Sequence, residues 1–341
     1  MTTTPDHTTF HDRLVGADAV DLPAGFFDRL MFNMHPVDVA APSVIMGFGM
    51  YPLKDTVDGF VVVTDEKEQR NLRFASELSA TDRNGAGPFR FEVVEPNQIW
   101  RLRLDDNVIG TEFDITWRAR TPAWFGEVAV TNSSDQRTSF DHLFQSGRYE
   151  GTLSIDGHRF SVDGWYGQRD RSRGVRTMAG GQGLHIWYQA QFPDFSIGFL
   201  LVETRAHDRL LLEGAVMHED GGLDPIVDVR HALSFTDGLD LVEGDVEVTT
   251  AAGQRYRVRA DARAGGGFMA GAGYGGHHGT SHGIDHVESD RYPLDGSVTP
   301  RSLDSALTDR LCSFDLDGVA GSGIFEFALT RSSSYQYLPS L

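Results

Sequence analysis

The chain has a single cysteine, Cys312, in 341 residues. One thiol excludes an internal disulfide framework and any cysteine-built metal centre. Positive charge is scarce as well: 30 Lys and Arg against 49 Asp and Glu leave a net charge of −19. Such a balance repels phosphate backbones and anionic headgroups, which argues against nucleic acid and membrane surfaces as partners. No apolar run reaches the roughly 18 residues that a membrane-spanning helix needs. The segment from Met1 to Asp12 holds no apolar signal-peptide core, so a cytoplasmic location is the expectation. Helical periodicity is sparse too, and only residues 21–32 and 303–311 read as short helices.

What the chain does have is apolar bulk. Apolar residues make up 40% and aromatics 11%, with 22 Phe, 9 Tyr and 5 Trp, enough to fill a sizeable core. Their spacing is mostly two. Phe89, Phe91 and Val93 alternate with Arg90 and Glu92, and Trp100, Leu102 and Leu104 with Arg101 and Arg103. Phe113, Ile115 and Trp117 alternate with Asp114, Thr116 and Arg118, while Phe195, Ile197, Phe199 and Leu201 keep a similar period in the second half. This alternation sets one strand face on a core and the other in water. Asp58-Gly59, Asn84-Gly85, Asp156-Gly157, Asp194 after Pro193, and Asp237-Gly238 read as turns between the runs. Many short strands at regular spacing indicate an all-β chain of antiparallel barrels or sandwiches. A boundary falls near residues 165–182, where a charged run is followed by a joint at Gly180, Gly181 and Gly183. Residues 264–283 are too rich in glycine to build a core and read as a loop.

Three patterns lie in or beside that loop. Gly271 to Gly276 fits a dinucleotide-binding fingerprint, but no helical pattern follows to receive a pyrophosphate. Gly279, Ser281 and Gly283 fit a nucleophile elbow, but an elbow needs a strand-to-helix junction. His277, His278, His282 and His286, with Asp285 and Glu288, have the density of a zinc or iron site. Incidental histidines on a solvated loop are the alternative, and no metal site is assigned. Asn132 opens a glycosylation sequon that is silent without a secretion signal. Cys312, between Leu311 and Phe314, reads as a buried inert thiol.

The richest segment runs from Gln145 to Arg176. Its first part, through Asp156-Gly157, is a β-hairpin by pattern. Its second part, from Trp165 to Arg176, interleaves charges with Trp165, Tyr166, Gly167 and Gly174, which suits a segment folded inward. Burial of Asp170 would favour its protonated form, and neighbouring Arg169 and Arg171 its ionised form. The tract is therefore either a proton donor in a pocket or a structural Arg–Asp network.

Gln145, Ser146, Gly147, Arg148, Gly151, Thr152, Asp163, Gly164 and the run Arg169, Asp170, Arg171, Ser172, Gly174, Val175, Arg176 resemble the signature of bacterial proteins related to hydroxyneurosporene synthase, the carotenoid-hydratase-like or AttH-like proteins. Phe32 to Pro36, Gly47 to Pro52 and Gly323 to Phe327 resemble family segments near the two ends. The resemblance implies two tandem lipocalin-like β-barrels packed together. It places an extended or disordered N-terminus at 1–20, a first barrel at 21–178 and a second at 179–335. It also implies a hydrophobic cavity at or near the interface, no metal or organic cofactor, and hydration, dehydration, isomerisation or cyclisation of an isoprenoid, terpenoid or polyketide-like substrate. Asp170 corresponds to the residue that protonates the alkene.

Beside it, His185 is a candidate to position or deprotonate water. His185 and Trp187, two apart on a strand, share a face. Trp165, Tyr166, Trp187 and Tyr188 could turn their rings toward a carbocation, although core packing is the commoner fate of aromatics in a barrel. Glu326 is a second candidate carboxyl, its alternative being an outward-pointing strand residue. Arg148 and Arg171 are candidates for holding a polar end of the substrate. Two functions fit these residues: a lyase or cyclase acting on a small hydrophobic molecule, or a binding or carrier protein for one. A homodimer is compatible with either.

Overall fold

The computed structural model describes residues 14–40, 42–81, 84–131, 137–176 and 182–341. Asn132, the joint at Gly180 and Gly181, and the first thirteen residues lie outside the described residues. Among the described residues nearly all regular structure is antiparallel strand, and the only helical pieces are single 3₁₀ turns, Pro52–Lys54 and Leu78–Ala80. No helix of the described residues is long and apolar enough to cross a membrane.

The strands form two bodies. The first is a 13-stranded sheet whose centre runs through Thr56–Thr64, Ser43–Tyr51, Phe26–Met34, Tyr166–Val175, Arg137–Ile155 and Thr111–Ala119 in spatial order. The sheet curls on itself. Phe48 stacks on Phe91 at 4.1 Å and Phe74 on Phe89 at 5.4 Å, although their strands are far apart in sheet order. The concave side holds a core around Phe32, Trp100, Trp117 and Tyr149. The second body is a closed eight-stranded barrel that begins with Gln182–Gln191 and ends with Val319–Leu329. Its interior is filled by Leu184, Ile186, Tyr188, Phe199, Phe325 and Phe327. One strand of the second half, His286–Pro293, pairs instead with Glu68–Glu77 at the edge of the first sheet.

Both segments read as helices are different in the structure. Residues 26–32 belong to strand Phe26–Met34, and 308–311 to strand Thr308–Leu316. Eight of the nine residues of Phe26–Met34 are buried, so both of its faces are covered and no polar alternation marks it as a strand. Asp58-Gly59 is not a turn either. It lies inside Thr56–Thr64, and a Cβ on Gly59 would stand 2.5 Å from the carbonyl oxygen of Gly47 and from the Phe74 ring. The glycine serves close approach there, not chain reversal. Asp156-Gly157 does turn the chain: Ile155 pairs with His158, and both turn residues have positive φ, 49° and 80°.

The glycine-rich segment corrects a further expectation. Its first residues complete strand Arg255–Phe268, and the rest forms a packed turn. Met269 and Ala272 are fully buried in a seam that also holds Met31, Ile45, Phe60, Phe144, Trp187 and Leu200. A Cβ on Gly271 would fall 2.2 Å from the Asn71 side chain, so the absent side chain is what lets this turn press against the first sheet. The seam lies between the outer face of the curled sheet and the outer face of the barrel, and it positions the site.

Candidate functional site

Strand parity decides which side chains reach the seam. On Tyr166–Val175, Asp170 and Ser172 point to it, while Arg169 and Arg171 point into the core of the first sheet. On Gln182–Gln191, His185 and Trp187 point to it, while Leu184, Ile186 and Tyr188 fill the barrel. His142 and Phe140 come from Arg137–Ile155, Arg29 and Met31 from Phe26–Met34, and Glu326 from Val319–Leu329. Together they line a cavity of about 400 Å³ whose apolar walls include Phe60, Trp187, Leu200, Val202 and Leu211. That volume is within the usual range for a small-molecule site.

Two proton-handling clusters face this cavity. In the first, His142 bridges the bodies. Its Nδ1 hydrogen-bonds Glu213 of the barrel strand Arg209–His218, and its Nε2 lies 3.2 Å from Asp170 Oδ2. Trp124 Nε1 donates to the other oxygen of Glu213 at 3.2 Å. Burial works against a charged imidazole, but the carboxylates of Glu213 and Asp170 outweigh it and hold His142 up at about 10. Burial also opposes ionisation of Glu213, yet the imidazolium beside it pulls its carboxyl below the usual range. His142 is therefore a cation at neutral pH, clamped between two anions.

In the second cluster, His185 Nε2 lies 2.8 Å from Glu326 Oε1. Glu326 is paired across the ladder with Trp187 on one side and Asp309 on the other. No described donor reaches either oxygen of Asp309. Burial first, and then the charge of Glu326, push Asp309 well above the ordinary carboxyl range. Asp170 adds to this from the first cluster, so the two clusters sense each other electrostatically.

Asp170, His185, Glu326 and Trp187 are thus brought together. The other sequence candidates lie outside the cavity. Tyr188 is inside the barrel, stacked on Phe199 at 4.9 Å. Trp165 packs against the core of the first sheet. Tyr166 lies under the guanidinium groups of Arg120 and Arg148, at 4.7 and 5.7 Å. Arg148 is exposed and pairs with Glu219 at 3.0 Å. Arg171 is fully buried on the opposite face from Asp170 and grips both oxygens of Asp28, at 2.9 and 2.7 Å. The histidine loop is ordered by contacts of its own. His278 Nδ1 lies 3.0 Å from Asp58, and the rings of His277, His282 and His286 stack at 4.2 and 4.9 Å. Among the described residues no group of three or more His, Cys, Asp or Glu side chains is arranged to hold a metal ion.

His142, Glu213, Asp309, Arg29 and Arg176 were missed from sequence. His142 had a usable signal, because Phe140, His142 and Phe144 alternate just before the Gln145 tract. Glu213 and Asp309 had none, since each acquires its role from a partner on another strand.

The profile of a family of unknown function (DUF8625) matches residues 15–334. No curated protein matches the chain in sequence. Among solved structures, a protein assigned as an AttH from Nitrosomonas europaea is 11% identical with a TM-score of 0.59, over 92% of this chain and 99% of that one. Kievitone hydratase from Nectria haematococca is 12% identical with a TM-score of 0.47, over 94% and 97% of the two chains. CghA is 10% identical with a TM-score of 0.46, over 92% and 90%. At 11% identity the likeness to the Nitrosomonas protein is one of fold.

Proposed function

The chain belongs to that family of unknown function, and we propose that it is an enzyme that moves protons on a small apolar molecule held between its two β bodies, adding or removing water, shifting a double bond or closing a ring. One observation carries the reading: two histidine–carboxylate clusters, drawn from both bodies, face one largely apolar cavity. Each of those reactions needs a proton delivered at one atom and taken up at another, with bulk water kept out.

Glu326 is the donor. It lies on the cavity wall and relays a proton from Asp309, its ladder partner, whose carboxyl burial and the charge of Glu326 push well above the ordinary range. His185 steadies the charge left behind. Asp170 is the acceptor: the protonated His142 orients its carboxyl group and offsets its charge. This gives Glu326 the donor role that the resemblance implied for Asp170. A cation developing between the two meets the rings of Trp187, Phe140 and Phe60, whose π-faces stabilise positive charge in a dry site.

A panel of apolar alkenes and β-hydroxy carbonyl compounds tests this by mass spectrometry, read as gain or loss of water and as deuterium uptake from heavy water. The wild-type protein is expected to turn over at least one member. Asp170→Asn and Glu326→Gln are each expected to lose about 10²-fold or more in rate while still binding it. A wild type that binds the panel and exchanges no hydrogen with solvent is a carrier, and the enzyme reading falls.

A further inference from the structure

We infer that the substrate is an apolar molecule bearing one carboxylate, and that Arg176 receives that carboxylate. The inference rests on the reading of the cavity as a substrate site. Every other acidic or basic side chain on the cavity wall already has a polar partner. Asp58 accepts from the backbone N–H of Gly279 at 2.6 Å and meets His278 at 3.0 Å. Asp170 meets His142, and Glu326 meets His185. Arg29 donates to the Tyr51 hydroxyl at 2.7 Å. Arg176 is different. Among the described residues it makes no hydrogen bond or ion pair, and its guanidinium only stacks, 4.3 Å from the centre of the Phe140 ring and 5.6 Å from that of Phe27.

Arg29 stands over the same Phe27 ring at 5.1 Å. Two cations therefore share one end of the cavity, and only one of them is satisfied. Burial, and then the charge of Arg29, weaken the hold of Arg176 on its proton, as expected of a guanidinium set among rings and beside another cation. Asp170 and Glu326 act on this cation only from a distance, with no carboxylate in hydrogen-bond reach among the described residues, so it is incompletely compensated and a bound anion completes it. The fork of an arginine matches the two oxygens of a carboxylate. A dianion such as a phosphate ester is disfavoured, because Asp170 and Glu326 share the chamber and the chain as a whole carries −19. With its carboxylate on Arg176, the apolar remainder of the substrate would lie along Trp187, Leu200 and Val202, between the two proton-handling clusters. An ion pair at one end fixes which carbon each cluster reaches.

Calorimetric titration with 2-naphthylacetate and its neutral isostere 2-naphthylacetamide tests the assignment. Wild type is expected to bind the acid about tenfold or more tightly than the amide, the difference a charged hydrogen-bond pair commonly makes. Arg176→Gln is expected to bring the two affinities together by weakening the acid and sparing the amide. Arg176→Lys is expected to keep part of the preference. Equal binding of acid and amide by the wild type overturns the carboxylate inference while leaving the apolar cavity intact, and needs no variant to fold. Failure of both probes to bind overturns the cavity reading and this inference with it.

Discussion

Asp309 and Glu326 stand directly opposite each other on neighbouring antiparallel strands, both buried, and burial together with the charge of Glu326 pushes the Asp309 carboxyl well above its ordinary range. Asp309 titrates well above the ordinary 3.8 in the folded chain, so the folded state holds a proton that the unfolded state releases. Stability from this group is therefore highest in acid and falls as pH rises from about 4 through the folded-state value. Asp309→Asn replaces the protonated carboxyl with a neutral group of the same shape. Urea unfolding from pH 4 to pH 9 should show a smaller loss of stability toward high pH in the variant than in the wild type. Parallel curves would mean that Asp309 keeps an ordinary carboxyl range in the folded chain.

His142 works in the opposite direction to an ordinary buried imidazole, because burial disfavours its charge and two carboxylates more than restore it. Its folded-state value of about 10 lies above the ordinary 6.5. Its contribution to stability is thus complete below about 6.5 and is lost as pH rises from there toward 10. Glu213 has a lowered value, so its contribution is present above its ordinary 4.5 and is lost as pH falls through the folded-state value. His142→Asn should cost about 3 kcal/mol near neutral pH, as expected when one member of a buried charged cluster is removed. It should also flatten both limbs of the stability profile. Denaturant titrations across pH measure all three effects, and a variant with unchanged limbs would falsify the clamp.

The sequence made the β class, the hairpin at Asp156-Gly157 and four of the cavity residues legible, each through period-two alternation or turn chemistry. Trp187 and His185 were placed on one face from their spacing alone, and the structure agrees. Alternation fails where both faces of a strand are covered, as in Phe26–Met34, whose buried run was read partly as a helix. It fails again for Arg171, because a run of charges does not reveal which members turn inward until a partner such as Asp28 is known. Asp28 is distant in sequence, as Glu213 is from His142. The two clusters depend on pairings across 71 and 141 residues and the Arg171–Asp28 pair on one across 143, and no local pattern encodes those.

Gly126 gives a direct handle on the first cluster. It pairs with His142 across the ladder, and a Cβ there would fall 1.5 Å from Glu213 Oε2. The obstacle is the end of a flexible side chain, so Gly126→Ala should push Glu213 aside rather than unfold the strand. Without that carboxylate, His142 should titrate nearer its ordinary 6.5. Imidazole NMR shifts followed against pH read this out, and a titration still centred near 10 would mean that Asp170 holds the proton on its own.

Arg171 and Asp170 are neighbours in sequence and belong to different chemistry, which a single substitution separates. Arg171 is fully buried, donates twice to Asp28, and shares that carboxylate with the backbone N–H of Val15 at 3.1 Å. Arg171→Met leaves Asp28 buried without its cation, so a loss of about 3–5 kcal/mol is expected. Arg171→Lys keeps the charge but loses the two-pronged grip, so a smaller loss is expected. Because the side chain points away from the cavity, Arg171→Lys should bind 2-naphthylacetate as the wild type does. Urea unfolding gives the first quantity and calorimetry the second. Weakened binding by a folded Arg171→Lys protein would place this arginine with the ligand and undo the division of the strand into a structural face and a chemical one.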